Sequence, residues 1–245
     1  MNENFDAFDD YAMQFDMNDP MTAYKYNHSY RVVHQAEEIA RSLKLDEDDK
    51  ELASLIGLLH DVGRFKQLEE YSTFNDYASF DHGDYGAKVL FEDGLIKNFK
   101  TSEGNYSIIE KAIRNHNKMY IEDGLSIKEK LHAKIIRDAD KIDILYAFST
   151  NRLLEIKDDD SEIDPKIEEA FMKHELVSNK DIKTKNEKNL QMLALVYDLN
   201  YDYSKERIYN EKYLEKMLEG FTNKDLYKKF VDEAIKYLEG EIKKC

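Results

Sequence analysis

The sequence predicts an all-α protein, a helical bundle with additional C-terminal helices, and two observations carry that prediction. Only two prolines and nine glycines occur among 245 residues, so few positions interrupt a helix. Between them Leu, Ile, Ala, Glu and Lys recur at helical spacing, which gives each segment one apolar face to bury.

The elements can be justified in chain order. From Tyr24 to Leu43, residues Val32, Val33, Ala36, Ile39, Ala40 and Leu43 form an i, i+3, i+4, i+7 stripe, the mark of a helix buried along one side. A second helix is expected to begin in the acidic cluster at 46–49, because carboxylates suit the positive end of a helix. It runs through Leu52, Leu55, Ile56 and Leu59 to a stop at Gly63. From Phe65 to Phe80 the pattern weakens, and Tyr71, Ser72, Thr73, Asn75 and Asp76 predict an irregular loop. Helical spacing resumes from His82 to Gly94 and again from Tyr106 to Asn117, where Ile109, Ala112, Ile113 and His116 share a side. Ser126 and Glu129 have the spacing of a capping box and open a helix that continues to Ser149. After the acidic run at 158–164, Pro165 opens another helix, with more at 187–198, 209–220 and 223–243. Two regions follow: a core at 1–149 that includes an N-terminal extension, and a C-terminal helical region at 150–245 packed on it. The second region is expected to wall the pocket or to form a homodimer contact.

Charge and composition narrow the function. A net charge of −15 repels a phosphate backbone, so extended nucleic acid is not an expected partner. A small phosphorylated molecule remains compatible, because a buried cationic site acts at close range where salt screens little. The single cysteine, Cys245, permits no intrachain disulfide, and no stretch has the length and apolarity of a membrane span. Together with an N-terminus that does not read as a secretion signal, these features predict a soluble, cytoplasmic protein.

The stretch LLHDVGRF, residues 58–65, sets a histidine and an aspartate side by side. That dipeptide alone is weak, since roughly one such pair is expected by chance. The set His28, His60, Asp61, His82, His116 and Asp140 is stronger. The doublet His60-Asp61 and each of the other four lie on, or at the end of, separate predicted helices; His28, His60, His116 and Asp140 also line up with inward stripes, so all six can converge in one bundle. Burying four imidazoles and two carboxylates together is costly unless they serve as ligands of a divalent transition metal. An aspartate directly after a histidine is also suited to bridge two cations, and a pair of metals roughly 3.5–4 Å apart can stabilise an in-line displacement at phosphorus.

This ordered set resembles the HD-domain superfamily of metal-dependent phosphohydrolases, which are helical proteins marked by His, His-Asp and Asp in that order. The resemblance covers residues 24–149 and implies an HD-domain-like bundle. It matches the four marker ligands to His28, His60, Asp61 and Asp140, and the two extra histidines of members with a two-metal centre to His82 and His116. Family members often place a basic residue three positions after the doublet's aspartate, against phosphate; here it is Arg64, expected to bind and not to protonate, since a guanidinium stays charged. Lys141, beside Asp140, either supports the phosphate or covers the helix surface. His34, His132 and His174 are expected not to be ligands.

Two departures narrow the subfamily. The Gly-Tyr-Pro signature of cyclic-di-GMP phosphodiesterases is missing after His116, and Tyr24 stands where some of those enzymes place a third-metal carboxylate. The extra pair of histidines separates the chain from the stringent-response hydrolases. The resemblance thus implies hydrolysis of a phosphate ester or anhydride in a small molecule, a nucleotide first, by a metal-activated hydroxide. Asp61, Arg64 and Lys141 are the catalytic candidates. Two ions are expected, iron or manganese first, with cobalt, nickel or zinc compatible. The rival readings are a non-catalytic metal-containing regulatory or binding module and a diiron oxygenase on the same scaffold. The segment 65–80 is a candidate substrate lid, though Phe74, Tyr77 and Phe80 equally suit packing the loop down.

Overall fold

The computed structural model describes residues 3–150 and 158–243, so Cys245 lies outside the described residues. Among the described residues every regular element is helical: twelve α-helices and four short 3-10 helices, with no strand. The all-α expectation holds. Two compact units divide the chain, Met1–Asp140 and Lys141–Cys245, and the division falls within a long helix.

In the first unit, α1 (Glu3–Ala12) precedes α2 (Pro20–Ser42) and α3 (Glu47–Leu59). Asp19 caps α2 by accepting from Thr22 N, and Pro20 stands at its first position, where a missing N–H costs nothing. Asp46 caps α3 through Asp49 N. The two helices pack along the stripe that includes Val32, Ala36, Ile39, Leu52, Leu55 and Ile56, all buried. Each such aliphatic side chain contributes about 1.5–3 kcal/mol on burial.

The segment after α3 differs from expectation. Helix α4 (Val62–Tyr71) occupies the first half of the stretch expected to be loop. Gly63 is not a helix stop but part of the first turn of α4. A Cβ there would lie 2.4 Å from His82 O and 2.8 Å from Gly86 N, so the residue is small because α5 (His82–Phe91) passes against it. Between α3 and α4 the backbone of Asp61 leaves helical geometry (φ −109°, ψ 16°), so His60 and Asp61 occupy a break between two helices. Residues 72–80 form the loop, with one 3-10 turn at Asp76–Ala78.

Helices α6 (Tyr106–His116) and α7 (Ile127–Ser149) carry the remaining predicted ligands. The Ser126–Glu129 capping box is present: Glu129 N donates to Ser126 Oγ at 3.3 Å, and Ser126 N donates to Glu129 Oε2 at 2.7 Å. The second unit contains α8 (Pro165–Met172), α9 (Lys185–Leu193), α10 (Asp202–Asn210), α11 (Tyr213–Gly220) and α12 (Lys224–Ile242). Helix α12 packs on the other four through buried Tyr227, Phe230, Val231, Ala234 and Leu238. Helices α1 and α10 have no counterpart among those expected from the sequence. No described helix is long and apolar enough to cross a membrane.

Candidate metal centre

All six side chains singled out in the sequence meet inside the first unit. His28 projects from α2, His60 and Asp61 from the α3–α4 break, His82 from the first turn of α5, His116 from the last turn of α6, and Asp140 from α7. The four histidines and Asp61 are buried, and Asp140 is partly exposed.

Asp61 lies between two groups. Its Oδ2 is 3.4 Å from both His28 Nε2 and His60 Nε2, and its Oδ1 is 3.5 Å from His82 Nε2 and 3.7 Å from His116 Nε2. Asp140 Oδ1 joins the first group, 3.1 Å from His28 Nε2 and 3.8 Å from His60 Nε2. Ligand atoms of His28, His60 and Asp140 lie within 4.8 Å of one another, as do those of His60, Asp61 and His116. These spacings fit a metal: atoms ~2.1 Å from one ion are separated by ~3.0–3.4 Å at octahedral or tetrahedral angles.

Ring orientation supplies a second test of the fit. Nδ1–H of His60 donates to Gly57 O at 2.8 Å, that of His116 to Ile113 O at 2.6 Å, and that of His82 to Asp76 Oδ2 at 2.7 Å. Each bond fixes the tautomer, leaving the Nε2 lone pair aimed at the centre. His82 Nε2 and His116 Nε2 then face each other at 3.0 Å, two lone pairs with no proton between them, an arrangement that a cation relieves. His28 Nε2 and His60 Nε2 are 3.2 Å apart.

Burial lowers the His60 pKa, and burial followed by the Arg64 charge lowers that of His82 to about 3. For the carboxylates burial alone works upward, but it is outweighed. Lys25 and the neighbouring histidines hold Asp61 well below the usual range, and His28 does the same for Asp140. Neutral imidazoles and ionised carboxylates are the states in which these groups bind metal.

Arg64 lies beside the centre with Nε 3.8 Å from Asp61 Oδ1. Its Nη1 donates to Gln67 Oε1, Phe74 O and Asp76 Oδ1 at 2.6–2.9 Å, whereas its Nε is buried with no hydrogen-bond partner. Lys141 is buried, with Nζ 2.8 Å from Asp198 Oδ2 within the second unit. The loop at 72–80 is pinned: Gln67 Nε2 donates to Asp76 Oδ1, Ser79 Oγ and Phe80 O, and Phe80 stacks on Tyr85 at 4.2 Å. Only Tyr77 of its aromatic residues stands clearly exposed. The other histidines lie elsewhere: His34 is exposed, His132 bonds to Asp49 and His174 to Glu233.

Three residues next to the ligands were not anticipated. Lys25 Nζ is 2.5 Å from Asp61 Oδ2; its position three residues before His28 on one helix was the available signal. Asp76, which orients His82, sits in an aperiodic loop that carries no signal. Arg137, three residues before Asp140, is fully buried and donates to Asn115 O at 2.8 Å and Lys118 O at 2.6 Å, gripping the end of α6 that carries His116.

Comparison with known proteins agrees with this geometry. Residues 26–145 match the family model described as HD domain, a family that implies a divalent metal, and the matched span contains all six side chains. No curated protein and no solved structure gives a significant match.

Proposed function

Because the chain belongs to the HD-domain superfamily through residues 26–145, we propose that its His–Asp centre hydrolyses a phosphate ester or anhydride of a small molecule, a nucleotide first. One observation carries the reading: the two oxygens of Asp61 face two separate histidine pairs, and the unpartnered Nε–H of Arg64 lies beside them. In this reading His28, His60, Asp61 and Asp140 would hold one metal, and Asp61, His82 and His116 would hold the second. Divalent ions there, iron or manganese first, would supply electrophilic charge and a water nucleophilic near neutral pH.

The chain's own groups do the rest. Asp140, the more exposed carboxylate, accepts a hydrogen bond from the attacking water and so orients its lone pair toward phosphorus. Arg64 donates Nε–H to a phosphoryl oxygen and offsets the charge that builds there; it remains protonated throughout. Water oxygen forms the new bond to phosphorus, the bond to the leaving oxygen breaks, and the water's proton passes to solvent or to the leaving group.

The test is elemental analysis of the purified protein with a screen of nucleotides and phosphomonoesters, repeated for His60→Ala. The variant should lose at least ~100-fold in rate, with one metal site depleted. A variant as active as the parent refutes the assignment. Oxygen consumption without phosphate release would instead support the oxygenase, and metal without either reaction the binding module.

A further inference from the structure

Lys25 is the cation nearest the centre, and nothing in the ligand set accounts for it. Its side chain is 12 % exposed, so it reaches Asp61 from the accessible side, and the ammonium meets Asp61 Oδ2 at 2.5 Å. Arg64 approaches the other oxygen of the same carboxylate. Both cations lie over one ring, that of Phe74, at 5.2 Å for Lys25 Nζ and 5.4 Å for the Arg64 guanidinium carbon. The two charges thus flank Asp61 and share an aromatic wall from the loop at 72–80.

We propose that Lys25 is the second phosphate-binding cation of this centre, acting with Arg64, and that the pair selects a phosphomonoester dianion over a phosphodiester monoanion. This rests on the phosphohydrolase reading above. The physical argument begins with charge. Three carboxylates, Asp61, Asp76 and Asp140, face two fixed cations, Lys25 and Arg64, so a single divalent ion already makes the centre positive and a second makes it more so. Any cation bound at Asp61 takes over the neutralising role that Lys25 performs here and repels the ammonium. Lys25 then has no carboxylate to hold it, and an anion entering from the exposed side supplies the missing partner. A monoester carries close to two negative charges at neutral pH, and its terminal phosphoryl group presents oxygens to both cations at once. A diester carries one charge and has a substituent where the second cation would bind.

The assignment is tested on the full-length, metal-loaded protein with Lys25→Met and Lys25→Arg, using inorganic phosphate in calorimetry and p-nitrophenyl phosphate against bis(p-nitrophenyl) phosphate in kinetics. Circular dichroism and metal content should match the parent in both variants. Lys25→Met should weaken phosphate binding by ~10- to 100-fold and raise KM for the monoester by a similar factor while changing kcat less; Lys25→Arg should recover part of the loss. The preference for monoester should narrow in Lys25→Met. Unchanged phosphate affinity overturns the assignment, as does a change in metal affinity with phosphate binding intact, or a parent protein that prefers the diester. Should the parent hydrolyse neither these esters nor any nucleotide of the screen above, yet bind phosphate through Lys25, the phosphohydrolase reading fails and the anion site stands.

Discussion

Asp76 shows how a residue outside the candidate ligand set orients one that belongs to it. Its Oδ2 accepts from His82 Nδ1 and its Oδ1 from Arg64 and Gln67, so one carboxylate fixes a ligand tautomer and anchors the neighbouring cation. Burial would raise its pKa, but His82 and Arg64 together hold it well below the usual range, so it stays an acceptor at neutral pH. Asp76→Asn keeps the shape and removes the charge. It should lower metal affinity by ~10- to 100-fold, read by metal titration, with an unchanged circular dichroism spectrum. Equal affinity would show that the tautomer is fixed by other means. The contrast with the ligands explains what was legible. Each of the six candidate ligands is a polar residue on a helix or at its end, several of them continuing an apolar stripe, which is unusual enough to read from sequence. Asp76 lies in a segment without periodicity, and Lys25 looks like any solvated lysine until Asp61 is placed beside it.

At the scale of elements, the centre depends on α4 and α5 lying close enough to bring His60 and Asp61 to His82. Gly63 permits this approach, since the atom an alanine would add falls 2.4 Å from His82 O, a backbone atom that cannot swing away. Gly63→Ala should therefore push the helices apart, costing about 1–3 kcal/mol in urea unfolding and weakening metal binding at the His82–His116 pair more than at His28. A fully stable variant with normal metal content would mean the two helices adjust without cost. The same glycine explains why α4 was not expected. A glycine after an apolar helix reads as a C-terminal stop, and Val62, Phe65 and Leu68 around it make too short a stripe to overrule it. Helix α1 is hidden for a different reason. It is held by tertiary contacts, with Phe8 and Tyr11 edge-on to Phe65 at 6.0 and 5.9 Å, and its own sequence has no long periodic pattern. The long helix α2 was readable from its stripe, although it begins at Pro20 and not at Tyr24, and α7 from its capping box.

Over the whole molecule, metal binding and acid should act on stability in opposite directions, and both should act on the unit at 1–140, which contains all six candidate ligands. In metal-stripped protein, His60 and His82 fold as neutral rings with pKa values depressed below 6.5, His82 to about 3. An unfolded chain takes up those protons near pH 6.5, so between that pH and the folded values it binds more protons than the native state does. Stability must then fall as pH falls, beginning near 6.5. Asp61, Asp76 and Asp140, all held below the ordinary carboxylate value, add a loss of the same sign below about pH 4. Scanning calorimetry of stripped protein should show a Tm that declines from pH 7 to pH 5. Adding a divalent ion at a hundredfold excess over its Kd should restore about 2.7 kcal/mol at pH 7. Because the folded protein keeps the His82 ring neutral down to about pH 3, that increment should change little between pH 7 and pH 5 and shrink only further down, where protons compete with metal for the same Nε2 atom. If the second unit melts as a separate transition, that transition should stay where it was. A stripped protein equally stable at both pH values would mean that these imidazoles are not buried neutral, and a metal increment already lost at pH 5 would mean that they take up protons in the folded state.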